Sequence, residues 1–216
     1  MGKFFDYNNK FFYYSGKAID CVLLSFVFLI SCLPVFTIGA AITALYYSVH
    51  HAIRRDHSYP WEMYVKGFKE NFKQSTKMWL IQLVAIILIV LDIRIMMPLL
   101  EQGHWLGMFV YVFIALLCMA VTWAILTMSY TARFELDWKH TMRNGMFMLM
   151  GRLQWSVLIF GVLVLTIVLV PFVPISIFIT PALGMVVDNI ILERIFRTLM
   201  TEEELQAEHE MDWEIK

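Results

Sequence analysis

Charge is what this chain has least of. Only 16% of its 216 residues are Asp, Glu, Lys or Arg, against about 25% in an average soluble domain, which excludes an ordinary water-facing surface. The net charge is −1 and the sequence pI about 6.6. With no clustered basic field, nucleic acid is excluded as a partner. Cysteine is scarce too. Cys21, Cys32 and Cys118 lie in apolar segments without a CxxC or Cys/His spacing, so they read as three buried small side chains, not as a disulfide framework or zinc site.

Catalytic motifs are also missing from the sequence. It has no glycine-rich phosphate loop, no HExxH and no GxSxG. His50 and His51 are neighbours and project in different directions on a helix, whereas a metal-binding pair needs i, i+4 spacing. No nucleophile, base and orienter assemble, so neither an enzyme nor a cofactor or metal site is expected.

Apolar residues fill the space that charge leaves: 60% of the chain is hydrophobic and its mean hydropathy is +0.67. That balance predicts an all-α, polytopic membrane protein. The expected architecture is one transmembrane domain over residues 1–200, followed by an acidic cytoplasmic tail over 201–216. About six hydrophobic helices, making four to six crossings, are expected in proline-broken hairpins, with two interfacial amphipathic helices beside them.

Residues 1–17 mix Phe and Tyr with Lys3, Asp6, Lys10 and Lys17, which suits an interfacial segment better than a signal peptide. The stretch 31–39, Ser-Cys-Leu-Pro-Val-Phe-Thr-Ile-Gly, is the first hinge. Pro34 cannot donate the amide a continuing helix needs, so it ends one apolar helix, and Thr37 is placed to cap a second that runs to about residue 53. Two short crossings meeting at Pro34, or one crossing and a re-entrant helix, both satisfy this pattern. Over 61–77 the residues Trp61, Tyr64, Val65, Phe68, Phe72 and, just beyond, Trp79 recur at three- and four-residue steps opposite Lys66, Lys69, Glu70, Lys73 and Lys77. This predicts an amphipathic helix lying along the interface.

Residues 78–99 make an apolar crossing with Asp92 and Arg94 near its far end, where charges anchor at headgroups or pair structurally. Glu101 to His104 form a short loop without Lys or Arg, and 107–130 cross back. A second amphipathic piece begins at Asp137, a candidate helix cap. The crossing 153–170 then stops at Pro171 and Pro174, and 175–192 is apolar but made irregular by Pro181 and Asp188. Helix, basic amphipathic piece and helix thus occur over 37–99 and again over 107–170, a weak repeat of pattern. Thr201 and Glu204 have capping-box spacing in the acidic tail. With six crossings and both termini inside, sixteen of the seventeen basic residues are cytoplasmic and only Arg94 is outside, as the positive-inside rule demands.

The run Leu-Pro-Val-Phe-Thr-Ile-Gly-Ala-Ala-Ile-Thr-Ala-Leu-Tyr-Tyr over 33–47, followed by Gly-Phe-Lys-Glu-Asn-Phe-Lys-Gln-Ser-Thr over 67–76 and Trp79, resembles the YesL-like family of bacterial integral membrane proteins of unknown function. The similarity extends over most of 3–199 and weakens after 135. Members of that family are typically encoded beside carbohydrate ABC importers and glycan-degrading enzymes in Gram-positive bacteria. The resemblance implies a plasma-membrane protein with an accessory role in oligosaccharide uptake, and it carries over no catalytic residue.

Two functions follow as expectations. In the first the chain is a non-catalytic subunit packed against the permease subunits of a sugar ABC importer, and through them linked to an ATPase and a sugar-binding protein. Its contacts would be Pro34, Thr37, Gly39, Ala40, Ala44, Tyr64, Phe68, Phe72 and Trp79, the small ones permitting close helix approach. In the second it is an independent small-solute transporter or channel, with Asp92, Arg94 and Asp188 along its path.

Overall fold

The computed structural model describes residues 10–54, 59–134, 136–198 and 200, and these form seven α-helices with no strand among them. The all-α expectation holds. The segment before Lys10 and the acidic tail from Thr201 lie outside the described residues. Three helical segments, Pro60–Glu101, Trp105–Arg133 and Leu153–Phe172, are long and apolar enough to cross a membrane.

Helix α1 (Lys10–Cys32) ends just ahead of Pro34, and a single 3-10 turn, Val35–Thr37, leads into α2 (Ile38–Ser48). The hinge is where the proline places it. Thr37, however, does not cap α2. Its hydroxyl donates to the carbonyls of Ser31 (2.6 Å) and Pro34 (2.7 Å), because the break leaves carbonyls at the end of α1 without helical partners.

Helix α2 is enclosed by the rest of the chain. Ala40, Ala41, Ala44 and Tyr46 are fully buried, and Thr43 and Ser48 with them. A helix apolar on all sides belongs in a core, and this one needs no lipid-facing surface. Beyond Ser48 it widens into a π-helical turn, Val49–Arg54, that carries His50 and His51. On its opposite side, an ideal Cβ on Gly39 would stand 2.4 Å from Trp79 Cβ and 3.0 Å from Ser75 O. Only glycine lets the two backbones approach this closely.

Helix α3 (Pro60–Glu101) is one continuous helix of 42 residues. This corrects the expected division into an interfacial helix over 61–77 and a separate crossing over 78–99. The amphipathic part is not a separate helix; it continues unbroken into the apolar stretch. No proline or glycine stands near residues 77 and 78, so nothing interrupts the i to i+4 ladder where polarity changes. The pieces of the second amphipathic unit do separate. Helix α4 (Phe109–Arg133) is followed by α5 (Trp138–Gly151) and α6 (Leu153–Phe172), with Arg152 between them at φ −138°, ψ 52°. Asp137 sits at the cap position of α5 but makes no side-chain cap bond.

Pro171 falls inside the last turn of α6 and does not end it; the break comes at Val173, ahead of Pro174, and after a 3-10 turn, Pro174–Phe178, helix α7 runs over Thr180–Arg197. Pro181 falls in its first turn, where a missing amide costs nothing; the irregularity expected over 175–192 lies just ahead of it, where the 3-10 turn gives way at Ile179 (φ −125°, ψ −43°), and Asp188 does not interrupt α7. Ser25 of α1 secures that start: its hydroxyl oxygen accepts from the Ala182 amide at 3.1 Å. The core gathers Leu24 of α1, Leu45 and Tyr46 of α2, Leu126 of α4, and Leu192 and Phe196 of α7. Two buried polar contacts fix α3 among its neighbours, Thr43 Oγ1 to Ser75 Oγ at 2.9 Å and Gln82 Nε2 to Thr127 Oγ1 at 3.2 Å. In an apolar surround such pairs fix the register in which helices meet.

Candidate functional site

At the end of the bundle where α2 and α4 finish, a buried carboxylate gathers three helices. Glu193 of α7 is 3% exposed. Its Oε1 accepts from the Tyr46 hydroxyl at 2.9 Å, and His50 Nδ1 and Arg133 Nε lie 3.2 Å and 3.5 Å away. Tyr46 and His50 stack one turn apart on α2, and Phe196 meets Tyr46 and Tyr130 edge-on. A buried carboxylate is tolerated only with a counter-charge and hydrogen bonds, and this one has both. Tyr46 and His50 are four residues apart, the spacing that puts both on the face turned to α7.

The next residue, His51, points the other way. It packs against Tyr47, with ring centroids 4.4 Å apart, at the mouth of an open polar cleft of about 830 Å³. Lys66, Glu70, Asn71 and Gln74 of α3 form one wall, and Arg133 and Asp137 the other. Gln74 Nε2 donates to Leu136 O at 2.7 Å and holds the walls together. Nearby, Lys77 Nζ lies 3.8 Å from the ring centroid of Trp138, a cation–π contact that ties α3 to the start of α5. The cleft offers donors, acceptors and both signs of charge. Among the described residues no three His, Cys, Asp or Glu side chains come together as metal ligands.

The residues expected to face a partner are placed differently. Gly39, Ala40 and Ala44 are buried within the chain, so the close approach their size permits is made to α3 of the same molecule. Tyr64 and Trp79 are buried, and Trp79 Nε1 donates to Val35 O at 2.7 Å. Phe68 packs on the core and continues a ring ladder from Tyr64 to Phe72. Thr37 is buried and Pro34 is exposed at the turn. The aromatic face of α3 thus turns inward, because α2 and the end of α4 compete with lipid for it.

Of the three expected path charges, Arg94 is exposed and Asp92 half-buried on α3. They are two residues apart, project to different faces, and make no ion pair with each other among the described residues. Asp188 is buried in α7 at the edge of a different cavity, whose walls include no residue of α3. The structure does not bring the three together. The Glu193 cluster, conversely, is marked by no sequence motif: Glu193 stands beside Arg194 near a helix end, and His50 suits a protein-buried surface without pointing to an acid 143 positions on. The available signal was a lone acid among Asn189, Leu192, Ile195 and Phe196.

Residues 21–93 match the model of a family described as Protein of unknown function, DUF624. The match covers about a third of the chain and bears out the resemblance read from the motifs over 33–47 and 67–79. It takes in α1 from Cys21, all of α2 and α3 as far as Ile93, a narrower span than the expected 3–199. No curated protein and no solved structure matches the chain.

Proposed function

We propose that this chain, similar over residues 21–93 to a family with no assigned function, is a non-catalytic accessory subunit of a carbohydrate ABC importer in a bacterial plasma membrane. Under this reading it makes six crossings, by α1, α2, α3, α4, α6 and α7, with both termini cytoplasmic. The observation that carries the reading is the continuity of α3. Its 42 residues reach about 63 Å at 1.5 Å per residue, roughly twice the ~30 Å hydrocarbon core. The apolar half can therefore cross while the basic half, with Lys66, Lys69 and Lys73, stands clear of the bilayer on the cytoplasmic side.

That projecting half forms one wall of the polar cleft. A rigid rod bearing mixed charge beside a concave polar surface suits recognition of another protein, where charge complementarity sets register and partner choice. The contacts are then Lys66, Glu70 and Gln74 with Asp137 across the cleft, in place of the buried small residues of α2. The resemblance supplies the partner: the importer's permease subunits, and through them its ATPase and sugar-binding protein.

The test is purification of the tagged chain in mild detergent, followed by mass spectrometry of what remains bound. Two permeases and an ATPase in fixed ratio are expected, and Lys66→Glu with Gln74→Arg should reduce their recovery at least tenfold. A homo-oligomer or lone chain under the mildest extraction would overturn the reading.

A further inference from the structure

A second cavity, of about 280 Å³, lies where α6 meets α7. Ile42 and Leu45 of α2, Ile125 of α4, and Val162 and Ile167 of α6 line it, and Asp188 supplies its carboxylate. Ile167 is exposed on the outer face of α6, so the cavity borders the surface that an apolar crossing helix presents to lipid. It is nearly twice the ~150 Å³ of an apolar cavity that holds benzene, and close to the lower end of ligand pockets. Space of this size beside a close-packed core leaves room for an occupant that enters from the outer face of α6.

Asp188 narrows the choice. It is 6% exposed, and its Oδ1 has no hydrogen-bond partner among the described residues. Two hydroxyls also line the cavity, but each is committed to backbone: Thr166 donates to Val162 O at 2.8 Å and Thr180 to Ser176 O at 2.9 Å. Five residues along the same helix, Glu193 has an arginine, a histidine and a tyrosine around it. Asp188 has no such set. An uncompensated carboxylate in an apolar wall is costly, and the ligand that relieves it brings its own donors and positive charge on a hydrocarbon body.

We propose that the cavity between α6 and α7 binds a small amphiphilic amine, its ammonium group on Asp188 and its hydrocarbon chain against Ile42, Leu45 and Val162. This is independent of the accessory role proposed above.

The test uses the full chain in lipid nanodiscs and equilibrium dialysis of n-octylamine against empty discs. Saturable binding of one amine per chain is expected, with n-octanol bound at least tenfold more weakly. Asp188→Asn, which keeps the shape and removes the charge, should weaken octylamine binding tenfold or more. Ile167→Trp, which fills the cavity from its lipid side and keeps the carboxylate, should do the same. Non-saturable uptake matching that of empty discs, or equal affinity for amine and alcohol, would overturn the proposal. So would undiminished binding by both variants.

Discussion

Helix α3 and the α5–α6 pair start from the same pattern, a basic amphipathic stretch followed by an apolar one, yet the first runs straight and the second turns at Arg152. A change of polarity is therefore not a break. A break needs a local alternative for the backbone, and only the second unit has it. There Gly151 precedes the turn, and the Ser156 hydroxyl donates to the carbonyls of Leu149 (3.3 Å) and Arg152 (3.4 Å). In α3, Gln74 is tied to Leu136 O and Trp79 to Val35 O, so both sides of the polarity change are held by other elements. The consequence is functional: one unit makes a rod that reaches out of the bundle, the other a helix folded beside it.

The largest expected effect comes from the carboxylate that joins the two units. His50 lies in the π-helical turn ahead of α3, Arg133 ends the helix before α5, and Glu193 holds both. Glu193→Ala takes the carboxylate away from Arg133, His50 and Tyr46 and should cost about 3–5 kcal/mol, read by thermal unfolding in detergent. Adding Arg133→Met should recover part of that loss. No recovery would mean that Glu193 acts through packing alone.

Making α3 resemble its counterpart is the next step. Lys77→Pro removes an interior helical bond and should cost about 3 kcal/mol. It should also expose the 60–77 half to limited proteolysis. The smallest effect separates the two glycine contacts. At Gly39 an added Cβ meets Trp79 Cβ and the fixed Ser75 carbonyl, whereas at Gly145 the one close atom is Thr127 Oγ1, at 2.6 Å, and the next neighbours stand at 3.4 Å or more. Gly39→Ala should lose about 1–3 kcal/mol by overpacking. Gly145→Ala should lose less than Gly39→Ala, because only the Thr127 hydroxyl, bonded to Gln82 and the Trp123 carbonyl, must shift and alanine regains up to about 1 kcal/mol in helix propensity.

How much the sequence disclosed follows the same division. Prolines and apolar runs speak locally, so the breaks at Pro34 and Pro174, the all-α class and the start of α5 were legible. The direction of the α3 aromatic face was not, because a 3.6-residue period says that a face is apolar without saying whether lipid, a partner or this chain covers it. Gly39 and Ala44 carried the right physics, close helix approach, with the wrong neighbour. The Glu193 cluster joins residues up to 147 positions apart, a pairing that no local pattern announces. Asp188 was visible as an intramembrane acid, but its cavity arises only where α6 packs against α7.

The continuity of α3 is the claim on which the docking surface rests, and it is open to one direct distance. With Cys21, Cys32 and Cys118 replaced by alanine, spin labels at Lys66 and Arg94, both exposed, would be measured in nanodiscs by pulsed electron paramagnetic resonance. A single narrow distribution near 42 Å, about 28 residues at 1.5 Å each, is the expected result. A broad distribution centred near 30 Å, as for a helix turned at a right angle around residue 77, would contradict it.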